Sequence, residues 1–408
     1  MKRVVVTGIS GISPIGDSWE MIKNRLQRME TGVTRLDSWD RYEGLNTRLA
    51  APIKDFKMPL HYNRKMLRSM GRVAQLAVRS TELALEDAGL LGDEALCSGN
   101  VGVSYGSSAG DTGAIAEFGN MLLNCSTDGL NANSYIKMMA HTTPVNISVH
   151  FGLRGRVITT SSACTSGAQG IGYAYEAIKH GLQRLMIAGG AESLCPTQAA
   201  VFDTLYATSV RNDEAHLSPR PFDQDRDGLV IGEGACTLIL EELEHAVARG
   251  ATIHAEIVGF GTNCDGTHVT QPSAETMETV MRLALQDARL SSDSIGYISA
   301  HGTATDRGDI AESQATASLF GDQTPISALK SFTGHTLGGC GALEAWTSIE
   351  MMNEGWFHAT ANLINVDPEC GDLDYLMTEG REINTEYVMS NNFAFGGINT
   401  SLIFKHWH

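Results

Sequence analysis

Short apolar runs alternate along the chain with longer stretches in which apolar residues recur at helical spacing. The clearest longer stretch is 74–88, an amphipathic pattern that ends at Gly89, and helices are also predicted at 21–26, 276–288 and 310–320. The short runs predict strands at 4–7, 101–105, 185–188, 237–241, 255–261, 295–300 and 401–405. Because strands separated by helices build layered sheets, the pattern predicts an α/β protein.

A glycine-rich segment, residues 8–16, follows the first predicted strand and is interpreted as a turn. It superficially resembles a dinucleotide-binding loop. The spacing of its glycines is wrong for that motif, and Pro14 stands where the helix should begin. We therefore predict no nucleotide cofactor.

An internal repeat relates two distant parts of the chain. Residues 164–181 run from small residues into an apolar helix and end at glycine, and residues 335–355 follow the same plan. This predicts two similar halves with their central helices packed together, which brings Cys164 and His335 near one cleft. The turn at 248–250 gives the expected boundary, with an N-terminal half at 1–250 and a C-terminal half at 251–408.

Composition and charge exclude several classes of protein. Hydrophobic residues make up 42% of the 408 residues and charged residues 19%, which is typical of a globular protein. The net charge of −17 argues against a nucleic-acid partner. No apolar run is long enough for a membrane span, and the chain enters a strand without a signal-peptide pattern, so we expect a cytoplasmic protein.

Eight scattered cysteines without CxxC pairs predict neither a disulfide framework nor a zinc site, and we expect no bound metal. Cys164 is the exception that calls for a chemical explanation, because small residues surround it just before a helical pattern. In the first turn of a buried helix, free backbone N–H groups and the positive end of the dipole would favour its thiolate. The alternative is a small buried hydrophobic residue.

Three other segments have polar or glycine residues at the ends of predicted helices and strands. His301 follows a strand in a Gly/Thr loop, and Lys330 precedes His335 at a junction between a loop and a helix. Gly396 and Gly397 form a turn between two strands. Either histidine alone could satisfy a buried hydrogen bond, but the set together predicts a catalytic site.

These motifs resemble those of the elongating β-ketoacyl-acyl carrier protein synthases. The resemblance extends over nearly the whole chain, and the Cys, His-Gly-Thr and Lys-x-x-x-Gly-His motifs occur in the family's order and at its approximate spacing. Three further matching segments are 1–8, 219–235 and 399–402. The resemblance implies a thiolase fold, in which two similar mixed-sheet halves form αβαβα layers around buried central helices.

The resemblance also implies a reaction that needs no cofactor. Cys164 would accept an acyl chain from a carrier thioester. His301 and His335 would hold the thioester carbonyl of a malonyl unit and stabilise the enolate that forms as carbon dioxide leaves. The enolate would then attack the acyl group on Cys164 and lengthen the chain by two carbons in fatty-acid or polyene biosynthesis.

Further residues take supporting roles by the same resemblance. Backbone N–H groups of Cys164 and Phe395 would form the oxyanion hole, and Phe395 would also gate the acyl pocket. Lys330 would be the buried active-site lysine and Glu344 its partner. The remaining expected substrate-binding residues are Thr303 and Thr305, for the pantetheine arm, with Phe202, Gly396 and Gly397.

The resemblance implies an acidic acyl carrier protein as partner, loaded with acyl or malonyl phosphopantetheine. Arg64, Lys65 and Arg68 stand where the family contacts its carrier. They belong to a wider basic patch that would steer docking, namely Lys54, Lys57, Arg64, Lys65, Arg68, Arg72 and Arg79. We expect a homodimer, and a heterodimer with a chain-length-factor-like partner stays open.

Several positions depart from the family's usual residues. The departures are Ala304, Asp306, Arg307, Ala394 and Ile398, and the segments around them look like ketosynthases of aryl-polyene pathways. Because the departures cluster near the catalytic histidine and the gate, they affect the substrate more than the reaction. A polar acyl pocket is a further expectation, with Ser107, Ser108, Thr142 and Thr143 as its candidates.

Four alternatives belong to other functional classes. A chain-length factor shares the fold but lacks the cysteine. A biosynthetic thiolase would need a second cysteine as base near the C-terminal turn, and residues 391–399 contain none. A starter-type condensing enzyme would carry Asn in place of His335, and a cysteine hydrolase would need a base that activates water.

Overall fold

The computed structural model describes residues 1–408. Its α-helices are α1 Trp19–Gln27, α2 Arg64–Leu67, α3 Arg72–Asp87, α4 Thr112–Asn124, α5 Ala132–Met138, α6 Thr142–Phe151, α7 Ser166–Lys179, α8 Pro196–Asp203, α9 Leu243–Ala248, α10 Ala274–Ala288, α11 Asp306–Phe320, α12 Lys330–Thr333 and α13 Cys340–Glu354. None of these helices combines the length and the apolar character that crossing a membrane requires.

The strands are β1 Val4–Ile12, β2 Thr34–Arg35, β3 Leu49–Ala51, β4 Val101–Gly106, β5 Val157–Thr159, β6 Leu185–Glu192, β7 Ile231–Gly232, β8 Gly234–Glu242, β9 Ala255–Cys264, β10 Tyr297–Ser299, β11 Pro325–Ser327, β12 Trp356–Phe357, β13 Asp374–Tyr375, β14 Arg381–Glu382, β15 Tyr387–Ala394 and β16 Ile398–His406. Strands alternate with helices along both halves of the chain, so the prediction of an α/β protein is confirmed.

The two halves of the chain repeat one strand order. The N-terminal strands run β5-β4-β6-β8-β1 across the sheet, and the C-terminal strands run β11-β10-β15-β16-β9, with β13 added at the outer edge. Numbered within each half, both orders are 3-2-4-5-1. The halves join where β1 pairs antiparallel with β9, from Val4 opposite Ile257 to Val6 opposite Ala255. The predicted pair of similar mixed-sheet halves is confirmed.

Side-chain alternation along the strands divides the core into layers. In β6, Met186 and Ala188 face the central core around α7 and α13, whereas Leu185 and Ile187 face the outer core around α3. The C-terminal sheet buries its opposite face against α10 and α11. The succession of helix, sheet, central helices, sheet and helix is the αβαβα arrangement of the thiolase fold.

Both central helices begin at the same kind of turn. A 3₁₀ turn at Ala163–Thr165 precedes α7, and another at Leu337–Gly339 precedes α13. The first residue of each turn has a positive φ, 51° at Ala163 and 44° at Leu337. The predicted internal repeat is therefore present in the backbone, and it gives Cys164 and Gly338 equivalent positions.

The Gly-rich turn predicted over residues 8–16 is wrong for residues 8–12 and confirmed at 13–16, where Ser13 and Gly16 exchange backbone hydrogen bonds at 2.9 and 3.2 Å. Strand β1 continues through Gly8 and Gly11 to Ile12. A Cβ atom on Gly8 would lie 2.4 Å from the carbonyl oxygen of Ala84 in α3, and one on Gly11 would lie 2.3 Å from the ring of Trp346. The glycines let helices approach the strand closely and do not end it.

The expected boundary between the halves falls in the connection from α9 to β9. Helix α9 ends at Ala248, Gly250 adopts a φ of +70°, and β9 begins at Ala255. We propose the division into 1–250 and 251–408 on this connection, because the repeated strand order restarts after it.

Substitution of Gly8 tests the close approach between β1 and α3. We expect Gly8→Ala to lower the free energy of unfolding by about 1–3 kcal/mol, because the new Cβ meets helix backbone that cannot rotate away. Gly119→Ala is the matched control. No atom lies within 4 Å of the added Cβ there, and an alanine inside α4 should stabilise the protein by about 0.5–1 kcal/mol. Denaturant titration measures the free energy of unfolding of both variants. Equal changes in the two would contradict the packing argument.

Candidate active site

Cys164 lies in the 3₁₀ turn ahead of α7, two residues before that helix begins, and its side chain is 4% exposed. The sequence predicted Cys164 in the first turn of the helix, and its observed position is just before that turn. Small hydroxyl residues hold the turn: Thr165 Oγ1 donates to the Ser162 carbonyl at 2.8 Å, and Ser166 Oγ donates to the Ala163 carbonyl at 2.7 Å. Small residues thus surround the thiol because the turn is tight.

His335 lies directly against the sulfur. Its Nε2 is 3.0 Å from Cys164 Sγ. Its Nδ1 accepts a hydrogen bond from the backbone N–H of Leu337 at 3.2 Å, so in the neutral ring the proton resides on Nε2. The backbone is fixed as well, because its N–H donates to the Val230 carbonyl at 2.6 Å and its carbonyl accepts from Gly232 N at 2.9 Å.

His301 completes the pair from the loop after β10. Its ring centroid lies 5.2 Å from that of His335. Its Nδ1 faces Lys330 Nζ at 3.0 Å and Asn392 Nδ2 at 3.3 Å. Both neighbours are donors, so Nδ1 is the acceptor and Nε2 carries the proton. The two imidazoles therefore each present an Nε2–H group.

Burial sets the charge of the two rings. Removal from water, reinforced by the positive charge of Lys330, lowers the pKa of His301 and of His335 well below the usual value. Both rings are consequently neutral at physiological pH. The site contains two uncharged N–H donors.

A buried ion pair stands behind His301. Lys330 Nζ donates to Glu344 Oε1 at 2.5 Å, and Asn392 Nδ2 donates to Glu344 Oε2 at 2.6 Å. Burial by itself would lower the pKa of Lys330, but the pKa rises, because the Glu344 carboxylate attracts the ammonium and accepts its hydrogen bond. The ammonium therefore stays charged and holds the proton of His301 on Nε2.

The expectation of a stabilised thiolate is wrong for the free protein. Burial raises the pKa of Cys164 to about 11, although Lys330 and the backbone N–H groups of Phe395 and Cys164 act in the opposite direction. Loss of hydration outweighs the helix terminus because the sulfur is enclosed. The same two N–H groups are directed at the sulfur.

A cavity of about 610 Å³ connects this site to the surface. Phe202 and Phe395 pack together beside the sulfur with ring centroids 4.9 Å apart and ring planes inclined at 48°. Thr303 Oγ1 lies 2.8 Å from Thr305 Oγ1 farther along the wall. The predicted site residues that line it are Cys164, Phe202, His301, Thr303, Thr305, His335, Phe395 and Gly397. Gly396 is next to this lining, with a φ of +88°, and donates its N–H to the Val269 carbonyl at 2.9 Å.

The candidate docking residues lie apart from this cavity, in and beside α2. Arg64, Lys65 and Arg68 are exposed and form no ion pair. Two arginines of the basic patch predicted from the sequence are already in ion pairs. Arg72 is paired with Glu233 at 2.7 Å and Arg79 is paired with Glu82, so neither is available to a partner.

Residues that sequence reasoning did not select also shape the site. Asn392 joins Glu344 to His301, and Glu312 accepts the backbone N–H groups of His301 and Gly302 at 2.7 and 2.8 Å. Cys340 Sγ donates to the Cys164 carbonyl at 3.2 Å. The available signal for Asn392 was a polar pair inside an apolar strand pattern. No local signal marks Glu312.

Two sets of side chains are close enough to hold a metal ion. Ligand atoms of Cys164, His301 and His335 lie within 4.8 Å of one another, as do those of His301, Cys340 and Glu344. A cation in the second set would stand beside the Lys330 ammonium. In the first set both Nε2 atoms carry protons, so a metal would have to displace them. The arrangement fits donors to a substrate oxygen better than metal ligands.

None of the four hydroxyl residues expected in a polar acyl pocket lines the cavity that reaches Cys164, so that pocket stays a prediction. Ser108 donates its N–H at 2.8 Å and its Oγ at 2.5 Å to Glu192, which also accepts the Gly338 N–H beside the cysteine turn. Thr142 and Thr143 are fully buried at the start of α6. Ser107 Oγ accepts the Gly110 N–H, so it serves its own loop.

Two family models match successive parts of the chain. Residues 1–246 match the family model for the β-ketoacyl synthase N-terminal domain, and residues 254–364 match that for its C-terminal domain. The 3-oxoacyl-[acyl-carrier-protein] synthase 2 of Vibrio harveyi is 37% identical over 412 residues, covering 99% of this chain and 98% of its own.

Solved structures agree with this relationship. A β-ketoacyl synthase from Burkholderia phymatum has a TM-score of 0.99 at 60% identity, and the ishigamide ketosynthase/chain length factor has 0.90 at 32% identity. Each match covers 100% of both chains.

A buried thiol facing two neutral histidines on this fold defines a thiolase-fold condensing enzyme. The chain belongs to the β-ketoacyl synthase family.

The raised pKa of Cys164 predicts how the thiol reacts with an alkylating agent. We expect its carboxamidomethylation to accelerate about tenfold per pH unit from about pH 7 to about pH 10, because the thiolate fraction is still rising below a pKa of about 11. Peptide mass spectrometry measures the rate, with the exposed Cys97 in the same digest as a check on the reagent. A rate that levels off near about pH 8 would contradict the assignment.

Proposed function

We propose that this chain is a β-ketoacyl-acyl carrier protein synthase that extends an acyl chain held on Cys164 by decarboxylative condensation with malonyl-acyl carrier protein. The observation that supports it most directly is the 3.0 Å contact of Cys164 Sγ with His335 Nε2, in a chamber where His301 supplies a second neutral donor. The relatives' name, 3-oxoacyl-[acyl-carrier-protein] synthase, describes this reaction. No metal or organic cofactor enters it.

The first step transfers the acyl chain to the enzyme. Cys164 Sγ attacks the carbonyl carbon of the acyl thioester, and the N–H groups of Cys164 and Phe395 stabilise the oxyanion that develops. The C–S bond to the carrier pantetheine then breaks. The departing sulfur takes up one proton in place of the one that the cysteine gave up, which leaves acyl-Cys164 and a free carrier thiol.

The second step generates the carbon nucleophile. The thioester carbonyl of malonyl-acyl carrier protein accepts hydrogen bonds from Nε2–H of His301 and of His335. As the bond to the carboxylate breaks and carbon dioxide leaves, its electron pair becomes an enolate whose oxygen faces these two donors. Decarboxylation supplies the electron pair, so no strong base is needed at the α-carbon.

The third step forms the new bond. The enolate carbon attacks the acyl carbonyl on Cys164, and the backbone N–H groups again stabilise the oxyanion. The C–S bond to Cys164 breaks, and the product leaves as a β-ketoacyl thioester two carbons longer. The departing thiolate takes up one proton from solvent, which is the proton that the overall reaction consumes. Lys330 and Glu344 act through His301, because the ammonium keeps the His301 proton on Nε2.

A biosynthetic thiolase fits less well. It would need a second cysteine as base, and the nearest candidate is Cys340. Burial raises the pKa of Cys340 well above that of a free thiol, and its Sγ–H donates to the Cys164 carbonyl. An interaction subunit of the chain-length-factor type would have no use for the retained cysteine and both histidines.

The partner we propose is an acidic acyl carrier protein that docks on Arg64, Lys65 and Arg68.

We also propose pairing with a second copy, or with a chain-length-factor-like subunit, along the free edge of the large sheet. Strand β5 forms that edge, and Val157 on it is 48% exposed. The eight free cysteines suit the reducing cytoplasm. The aryl-polyene pathway stays a prediction.

The Cys164→Gln variant separates the steps. We expect it to lose acyl transfer and condensation by about a thousandfold or more, because no nucleophile remains, yet to release carbon dioxide from malonyl-acyl carrier protein. Adding His301→Ala to that variant should abolish the carbon dioxide release. Acyl adducts by peptide mass spectrometry and trapped carbon dioxide are the measurements.

The matched control for this variant is Cys340→Ala, which removes a neighbouring buried thiol and should keep the acyl adduct on Cys164. The assignment fails if the adduct maps to another cysteine, or if folded wild-type protein forms none.

Charge reversal of α2 tests carrier docking. We expect Arg64→Glu combined with Arg68→Glu to raise KM for the carrier substrates about tenfold or more with little change in kcat, because the carrier is acidic and these cations are unpaired. Raising the ionic strength should increase the KM of the wild type toward that of the variant. Arg289→Glu, an exposed arginine outside the cavity and α2, should change little. An equal rise in KM for the α2 double variant and for Arg289→Glu would contradict the docking role of α2.

A further inference from the structure

The loop after β10 and the first turn of α11 form one wall of the active-site cavity from the catalytic end to the surface. The odd-numbered residues of this segment, His301, Thr303, Thr305 and Arg307, all line the cavity. They are progressively more exposed: His301 is buried, the two threonines are half-buried and Arg307 is exposed. A substrate arm that enters toward Cys164 therefore passes Arg307 first.

Every carboxylate that lines the cavity already has a partner. Asp306 is paired with Arg226 at 3.4 Å and Asp227 with Arg211 at 3.6 Å. Asp265 accepts hydrogen bonds from Asn399 Nδ2 and Thr276 Oγ1, and Glu312 accepts two backbone N–H groups. None of these acids forms an ion pair with Arg307.

Arg307 is the charged side chain in the cavity lining without a partner. It forms no ion pair and donates no hydrogen bond, whereas the other lining arginine, Arg226, is held by Asp306 and Asp367. The ring of His268 lines the same cavity. Its Nδ1 accepts the Thr270 N–H at 3.1 Å, so the neutral ring presents an Nε2–H donor.

We propose that Arg307, with His268 as a second donor, binds the phosphate of the phosphopantetheine arm at the cavity entrance. This inference rests on the proposed function, which brings that arm into this cavity. A phosphate monoanion is the strongest acceptor on the arm, and a planar guanidinium with free N–H groups matches its oxygens. Anchoring the far end of the arm keeps its thioester in line with Cys164 and the histidines.

The test compares substrates that differ only in the phosphate. Malonyl-pantetheine and malonyl-4′-phosphopantetheine are assayed with acyl-loaded wild type, Arg307→Ala, Arg307→Lys and the control Arg289→Ala, an exposed arginine without a partner outside the cavity. We expect Arg307→Ala to raise KM for the phosphorylated thioester about five- to twentyfold with kcat unchanged, and to leave the pantetheine thioester unaffected. Arg307→Lys should recover part of the loss.

Equal losses with both thioesters would overturn the phosphate assignment, and so would a loss seen only with malonyl-acyl carrier protein, which would make Arg307 a protein contact. Where condensation of the small thioesters is too slow for KM, their inhibition constants against malonyl-acyl carrier protein give the same comparison. Failure of the proposed function looks different, because wild type would then form no β-ketoacyl product from any malonyl donor.

Discussion

The chemistry of this protein depends on the close contact between the two repeated turns at the start of α7 and α13. A Cβ on Gly190 would lie 2.2 Å from the Gly338 carbonyl oxygen, and one on Gly167 would lie 3.0 Å from the Ala342 nitrogen. Glycine at these positions is therefore a requirement of packing. The contact brings Cys164 from one half within 3.0 Å of His335 from the other, so neither half holds the site alone.

Burial then determines the protonation states, and it acts in opposite directions on acids and bases. It raises the pKa of Cys164 and lowers the pKa of both histidines, because in each case the charged form loses hydration. The resting site consequently contains a thiol and two neutral imidazoles. Lys330 is the exception, since the Glu344 carboxylate keeps it charged in the same dry environment.

The sequence was sufficient to predict the alternation of strands and helices, the internal repeat and the meeting of Cys164 with His335, because each rests on a local or repeated pattern. It did not predict that β1 passes through Gly8 and Gly11, since only packing against α3 and Trp346 explains those glycines. The ion pairs of Arg72 and Arg79 could not be predicted from the sequence either. Glu233, the partner of Arg72, is remote in sequence, and the pairing of Arg79 with Glu82 depends on which face of α3 is buried. The pKa of Cys164 was misjudged because burial is a property of the tertiary structure.

The neutral histidines suit a decarboxylative reaction better than charged ones would. An imidazolium would donate a stronger hydrogen bond, but its charge would attract water, and water would compete for the enolate oxygen and protonate the carbanion before it reached the acyl group. Neutral Nε2–H donors stay aligned without hydration, because Leu337 N holds one ring and Lys330 holds the other. The ammonium supplies positive potential from behind His301, where it stabilises the developing anion without standing in its path. The buried ion pair of Lys330 and Glu344 therefore has two effects: it fixes the tautomer of His301, and it keeps a positive charge close to the developing anion.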